Sequence, residues 1–143
     1  MDAYLDALCK EIDYASDAFA GKELNTVYIG GGTPTTLEPD QLERLLSKLE
    51  ERFDYSRLLE FTVEAGRPDS ITREKLAVLR AHGISRISIN PQTMNQKTLD
   101  LIGRRHTVEQ TKDAFHLARE MGFDNINMDL IVGLPGEEKA DVE

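Results

Sequence analysis

What most constrains this chain is a hydrophobic period that switches between two and 3.6 residues along its length. Four short segments alternate apolar and polar side chains: Thr26–Ile29 and residues 58–64, 84–90 and 125–131. Between them, apolar residues recur at helical spacing. Leu5, Leu8, Ile12, Ala15 and Phe19 form a first stripe, Leu42, Leu45, Leu46, Leu49 and Phe53 a second, and Leu76 and Leu79 mark a third. A short helical piece at 98–102 precedes a longer helix, whose start is signalled by the capping-box spacing of Thr107 and Gln110. Gly21, Gly83 and Gly122 follow three of the helices, where a left-handed residue lets the chain leave the helix. Strands alternating with helices imply right-handed crossovers and a parallel sheet, so the chain reads as α/β.

Strands of a parallel sheet covered on both faces usually read as unbroken apolar runs. These strands alternate instead. One face takes Val27, Ile29, Leu59, Phe61, Val63, Ile87, Ile89, Ile126, Met128 and Leu130; the other takes Thr26, Tyr28, Glu60, Thr62, Glu64, Arg86, Ser88, Asn90, Asn125, Asn127 and Asp129. The apolar set is expected to meet the helices. A closed eight-stranded barrel fills its interior with branched apolar side chains, so a polar inner face points to a wider or incomplete barrel that holds a polar ligand. A half-wound sheet whose second face meets solvent or another chain would give the same pattern.

Composition narrows the partners. Twenty-six acidic against 17 basic side chains give a net charge of −9, which argues against duplex nucleic acid, whose binding rests on clustered Lys and Arg. No apolar run approaches the roughly 18 residues of a membrane span, and no signal peptide is visible, so the expected location is the cytoplasm with no membrane partner. The one cysteine, Cys9, sits in the first helical stripe and is expected to be a core residue. No histidine pair has metal-ligand spacing, so no metal site is expected within this chain.

The candidate site lies at the strand ends. Thr26–Ile29 runs into Gly30-Gly31-Gly32-Thr33-Pro34-Thr35, where missing Cβ atoms let backbone groups approach a ligand. This is neither a P-loop nor the Gly-x-Gly-x-x-Gly dinucleotide pattern. Glu64, Gln92 and Asp129 sit at or just past strand C-termini, the edge where α/β folds bind ligands, and Arg104 follows in Leu101-Ile102-Gly103-Arg104-Arg105-His106. Together they supply acceptors for an amine or ribose hydroxyls, an amide, and a guanidinium suited to a carboxylate. Arg86 is expected to pair with Glu60 or Glu64, since an unpaired charge in the lumen is costly. His82 reads as a helix C-terminal residue, and His106 as a loop residue or a partner of Arg104.

These residues resemble a known family. Tyr28-Ile29-Gly30-Gly31-Gly32-Thr33-Pro34-Thr35, Thr62-Val63-Glu64-Ala65, Gly83-Ile84-Ser85-Arg86-Ile87-Ser88-Ile89, residues 101–106 and Asn127-Met128-Asp129-Leu130-Ile131-Val132-Gly133-Leu134-Pro135-Gly136 run in the order seen in radical S-adenosylmethionine (SAM) enzymes of the oxygen-independent coproporphyrinogen III oxidase branch. Residues 64–71 and 90–94 look most like its coproporphyrinogen dehydrogenase (HemZ-like) type. The resemblance implies a partial (β/α)6 TIM-like barrel, of which about four parallel strands and their helices lie in this chain. It implies S-adenosyl-L-methionine and a [4Fe-4S] cluster as cofactors and a porphyrinogen as substrate. By carry-over, Gly31, Gly32 and Thr33 would contact the methionyl amine region and Glu64 would bind the cofactor. Gln92, Arg104 and Asp129 would match positions holding a second SAM. A 5′-deoxyadenosyl radical would take hydrogen from coproporphyrinogen III propionates, and loss of carbon dioxide would leave vinyl groups, giving protoporphyrinogen IX in haem biosynthesis.

One departure is clear. The family holds its cluster with Cys-x-x-x-Cys-x-x-Cys, and this chain has one cysteine. Residues 1–143 are therefore expected to be the central part of a radical SAM barrel domain, with the cluster loop upstream and a C-terminal portion beyond, inactive alone. Two other readings stand: a haem-trafficking relative of the same superfamily, and a generic (β/α) domain binding a small metabolite.

Overall fold

The computed structural model describes residues 1–142. α1 (Asp2–Ala18) leads to β1 (Thr26–Ile29), α2 (Pro39–Arg52) to β2 (Glu60–Glu64), and α3 (Arg73–Ala81) to β3 (Arg86–Gln92). α4 (Gln96–Leu101) and α5 (Val108–Glu120) then precede β4 (Asn125–Leu130). The strands pair in chain order, and every pairing is parallel.

Local chemistry sets the element ends. The Thr107 hydroxyl accepts from Gln110 N (3.1 Å) and the Gln110 side chain accepts from Thr107 N (2.8 Å), the reciprocal bonds of a capping box. Gly21, Gly83 and Gly122 adopt φ of +76°, +70° and +85°, as the helix exits require.

The register carries the two-faced reading. Val27 pairs with Phe61, Ile29 with Val63, Val63 with Ile87 and Ile87 with Ile126, so these side chains share one face. That face forms a single core with Leu5 and Ile12 of α1, Leu42, Leu45 and Leu46 of α2, Leu76 and Leu79 of α3, and Ala114 and Ala118 of α5. On the other face Tyr28 pairs with Thr62, Thr62 with Arg86, and Glu64 with Ser88.

The structure differs from the sequence reading at several points. β2 begins at Glu60, and Leu59 is 82% exposed, because pairing with β1 starts only at Thr26–Glu60. β3 continues through Pro91 to Gln92, where the pairing with β4 shifts and Ile131 N donates to Gln92 O (2.8 Å); a bulge tolerates the proline that a regular ladder would not. Phe19 lies beyond the end of α1 and is exposed, and Cys9 is half-buried at the margin of the core. Met128 and Leu130 point to the helix side but stay exposed, because α5 packs beside β3 and no helix among the described residues packs comparably on β4. Beyond β4, Lys139–Asp141 form a 3-10 turn, and Glu143 falls outside the described residues.

His82, at the C-terminal cap of α3, is bound from both sides by α2. Its Nε2 lies 3.0 Å from Glu43 and its Nδ1 2.8 Å from Glu50. Burial opposes its protonation, but the two carboxylates more than offset this and the imidazole pKa is raised. A raised folded-state pKa contributes stability that is fully present below the ordinary histidine value and is lost as pH rises through the folded value. The melting midpoint of the wild type, measured against His82→Gln, is therefore expected to fall as pH rises above the ordinary histidine value. A difference independent of pH would show that the two carboxylates do not hold a charged His82.

Candidate cofactor site

The carboxyl-terminal ends of β1 and β2 build the centre of the site. Glu64 is the last residue of β2 and half-buried. Its Oε1 accepts from the Tyr28 hydroxyl (2.5 Å) and its Oε2 from the Gly31 backbone N–H (3.2 Å). Gly31 has φ of +106°, a conformation open to glycine but strained for other residues. A side chain built on Gly31 or Gly32 would meet nothing within 4 Å, so open space lies against the backbone there. A cavity of about 410 Å³ adjoins the run, with Tyr28, Gly32 and Thr33 on one side and Tyr4 and Leu8 of α1 on another.

The far end of the glycine loop is fastened to other elements. Lys75 of α3 is 8% exposed and donates to Thr35 O (2.8 Å), and the Thr35 and Ser70 hydroxyls lie 2.6 Å apart. Ser70 in turn donates to Arg67 O (2.7 Å). Lysine is almost never buried unless partnered, so its ammonium on this loop carbonyl fixes the loop against α3.

The second carboxylate stands across the polar face. Asp129 Oδ1 accepts from Asn127 Nδ2 (2.6 Å), which also reaches Ser88 Oγ (3.0 Å); Ser88 donates to Asn90 (2.9 Å). Arg86 lies 3.5 Å from Glu60, the pairing expected from the sequence. The Tyr28 phenol registers this surrounding charge. Its pKa is raised first by the bond to Glu64, then by burial, with Glu64 and Asp129 adding and Arg86 opposing.

The candidate residues are unequally placed. Glu64 and Gly31 are in contact, Gly32 adjoins them, and Asp129 lies within electrostatic reach of Tyr28. The Thr33 hydroxyl is turned onto its own loop, donating to Gly32 O (2.7 Å). Gln92 is half-buried at the end of β3 with φ of +69°, a strained value for a residue other than glycine. Arg104 is exposed, and its guanidinium has no hydrogen bond or ion pair among the described residues.

Sequence reasoning passed over Tyr28, Asn127 and Lys75. The available signal for Tyr28 was its place on the polar face two residues before the glycines. His106 is a loop residue, the first of its two expected readings; it is buried and donates from Nε2 to Pro91 O (3.2 Å), bracing the end of β3.

A parallel α/β sheet with one polar face, a glycine run and carboxylates at its carboxyl-terminal edge defines a segment of a barrel-type fold with a polar inner face. The family profile of the radical SAM superfamily matches residues 5–143, and the chain belongs to that superfamily. It is 53% identical over 116 residues to the oxygen-independent coproporphyrinogen-III oxidase-like protein HemZ of Bacillus subtilis, covering 80% of this chain and 23% of that protein. It is 43% identical over 147 residues to the heme chaperone HemW of Lactococcus lactis, covering all of this chain and 38% of that one. The solved structure of coproporphyrinogen III oxidase (HemN) from Escherichia coli superposes with a TM-score of 0.89 at 37% identity, covering 99% of this chain and 32% of that one. This chain thus spans between about a quarter and two fifths of the length of these relatives.

The superfamily's cofactors are S-adenosyl-L-methionine and a [4Fe-4S] cluster. The residues here fit the first: a carboxylate fixed by two donors beside backbone with no side chain in the way suits a small cationic, hydroxyl-rich molecule. They do not fit the second. The single cysteine lies on α1, and among the described residues no group of three His, Cys, Asp or Glu side chains is arranged to hold a metal ion.

Proposed function

We propose that this chain is the cofactor-cradling part of an oxygen-independent coproporphyrinogen III oxidase-type radical SAM enzyme, which decarboxylates propionates of coproporphyrinogen III to vinyl groups. The observation that carries the reading is the 53% identity to the HemZ protein, in a chain whose fold follows HemN over nearly its whole length. In this reading Gly31, Gly32, Thr33 and Glu64 hold SAM, while Gln92, Arg104 and Asp129 complete the cofactor region. Bound SAM supplies the 5′-deoxyadenosyl group for radical chemistry. Glu64 offers a pre-aimed carboxylate, the glycines admit the ligand to backbone distance, and Asp129 offers a second acceptor held by Asn127. Arg86 lies 3.5 Å from Glu60 and is partnered there rather than left free for a substrate propionate. With one cysteine, the chain alone is inactive.

The 43% identity to HemW over the full chain favours a second reading, a haem chaperone. The deciding experiment uses the full-length protein, reconstituted anaerobically with iron and sulfide and given reductant, SAM and coproporphyrinogen III. Release of 5′-deoxyadenosine with loss of coproporphyrinogen is expected. Cofactor cleavage without substrate loss, together with haem binding, would replace the oxidase reading by the chaperone one.

A further inference from the structure

We propose that Tyr28 is a positioning residue for the cofactor site: its hydroxyl, together with the Gly31 N–H, aims the Glu64 carboxylate, and the bare α-carbon of Gly30 makes room for its ring. The inference rests on the assignment of Glu64 to the SAM site.

Three observations converge. Each oxygen of Glu64 accepts one donor, and the donors come from one short segment of a different strand and its loop. Tyr28 pairs in register with Thr62, so Glu64 is its diagonal neighbour on the same face of the sheet, a separation that an aromatic side chain can bridge. To get there, the ring must pass over Gly30. A Cβ on Gly30 would run into Cε1 of Tyr28 and lie 3.3 Å from Cδ of Glu64. Gly30 does not have a positive φ, so the space it leaves, rather than its backbone freedom, is what this packing uses.

The arrangement has a binding consequence. A free glutamate side chain loses rotamer freedom when a ligand engages it; one already held at both oxygens has lost it beforehand. Each oxygen keeps a further lone pair for the ligand, so the two donors fix the group without filling it. Tyrosine suits this task because its few torsions leave little slack between ring and backbone.

Tyr28→Phe keeps the ring and removes the donor. In the reconstituted full-length enzyme it is expected to raise the SAM dissociation constant about three- to tenfold, the scale of one immobilised side chain, with the melting midpoint of the unliganded protein unchanged. In a Glu64→Ala background the same change is expected to add nothing, because Tyr28 acts through Glu64. Gly30→Ala, which drives the ring off the carboxylate, is expected to reproduce the loss. Wild-type affinity in Tyr28→Phe, or an equal loss with and without Glu64, would overturn the inference. A wild-type enzyme that fails to bind SAM would overturn the functional assignment, and this inference with it.

Discussion

Replacing Glu64 by alanine is expected to raise the SAM dissociation constant of the reconstituted full-length protein by about 10- to 100-fold while leaving its unliganded fold intact. The magnitude follows from the loss of a charge-assisted hydrogen bond, worth about 1.5–3 kcal/mol, at about 1.4 kcal/mol per tenfold. The fold is spared because of where Glu64 sits. It ends β2 on the polar face, outside the buried core, and its two partners are a half-open phenol and a loop amide that water can satisfy. The two effects separate in a thermal shift measurement. Ligand at about 100 times its dissociation constant stabilises the wild type by about 2.7 kcal/mol. After a 100-fold loss of affinity the same concentration gives about 0.4 kcal/mol. The ligand-induced rise in melting midpoint should therefore collapse in Glu64→Ala, while the unliganded midpoint stays. An undiminished ligand-induced rise would remove Glu64 from the site. Asp129→Ala is expected to act in the same direction.

How much of this was readable from the sequence depends on the range of the interaction. Strand faces were legible because side-chain direction has a period of two: the assignment of Phe61 and Val63 to one side and Thr62 and Glu64 to the other needs nothing beyond β2 itself. The capping box at Thr107 and the glycine exits were legible for the same reason, since all their partners lie within a few residues. Strand ends were less so. Whether residue 59 belongs to β2 depends on where β1 begins, and whether Pro91 ends β3 depends on a bulge that β4 absorbs. The least legible features were side-chain bonds between distant segments. Tyr28 to Glu64 spans 36 residues, Lys75 to Thr35 spans 40, and His82 meets two carboxylates on another helix. None of these leaves a local period. Glu64 could be nominated from its place at a strand end, whereas for Tyr28 the sequence offered its place on the polar face but not the bond by which it holds Glu64.

Phe61→Ala is expected to show the converse of Glu64→Ala: a loss of about 3–5 kcal/mol in folding stability, read as a large fall in the denaturation midpoint, with SAM affinity of the remaining folded protein little changed. Phe61 is 1% exposed, and its ring meets Tyr55 edge-to-face at 5.6 Å between centroids. The cost of such a truncation depends on how far the surroundings can collapse into the space left behind. Here they are held. Phe61 N donates to the Ser85 hydroxyl (3.0 Å) and Ser85 N donates to Phe61 O (3.0 Å), so β2 is tied to the start of β3 on both sides of the missing ring. Val27 is in register beside it on β1. A loss that is large against the 5–15 kcal/mol total of an ordinary domain follows. A fall below about 1 kcal/mol would mean that the core does close over the space and that the Ser85 tie is not rigid. Because alternate side chains of β2 point to opposite faces, one strand is expected to give two separable outcomes: loss of Phe61 lowers stability, and loss of Glu64, three residues further on, lowers SAM affinity.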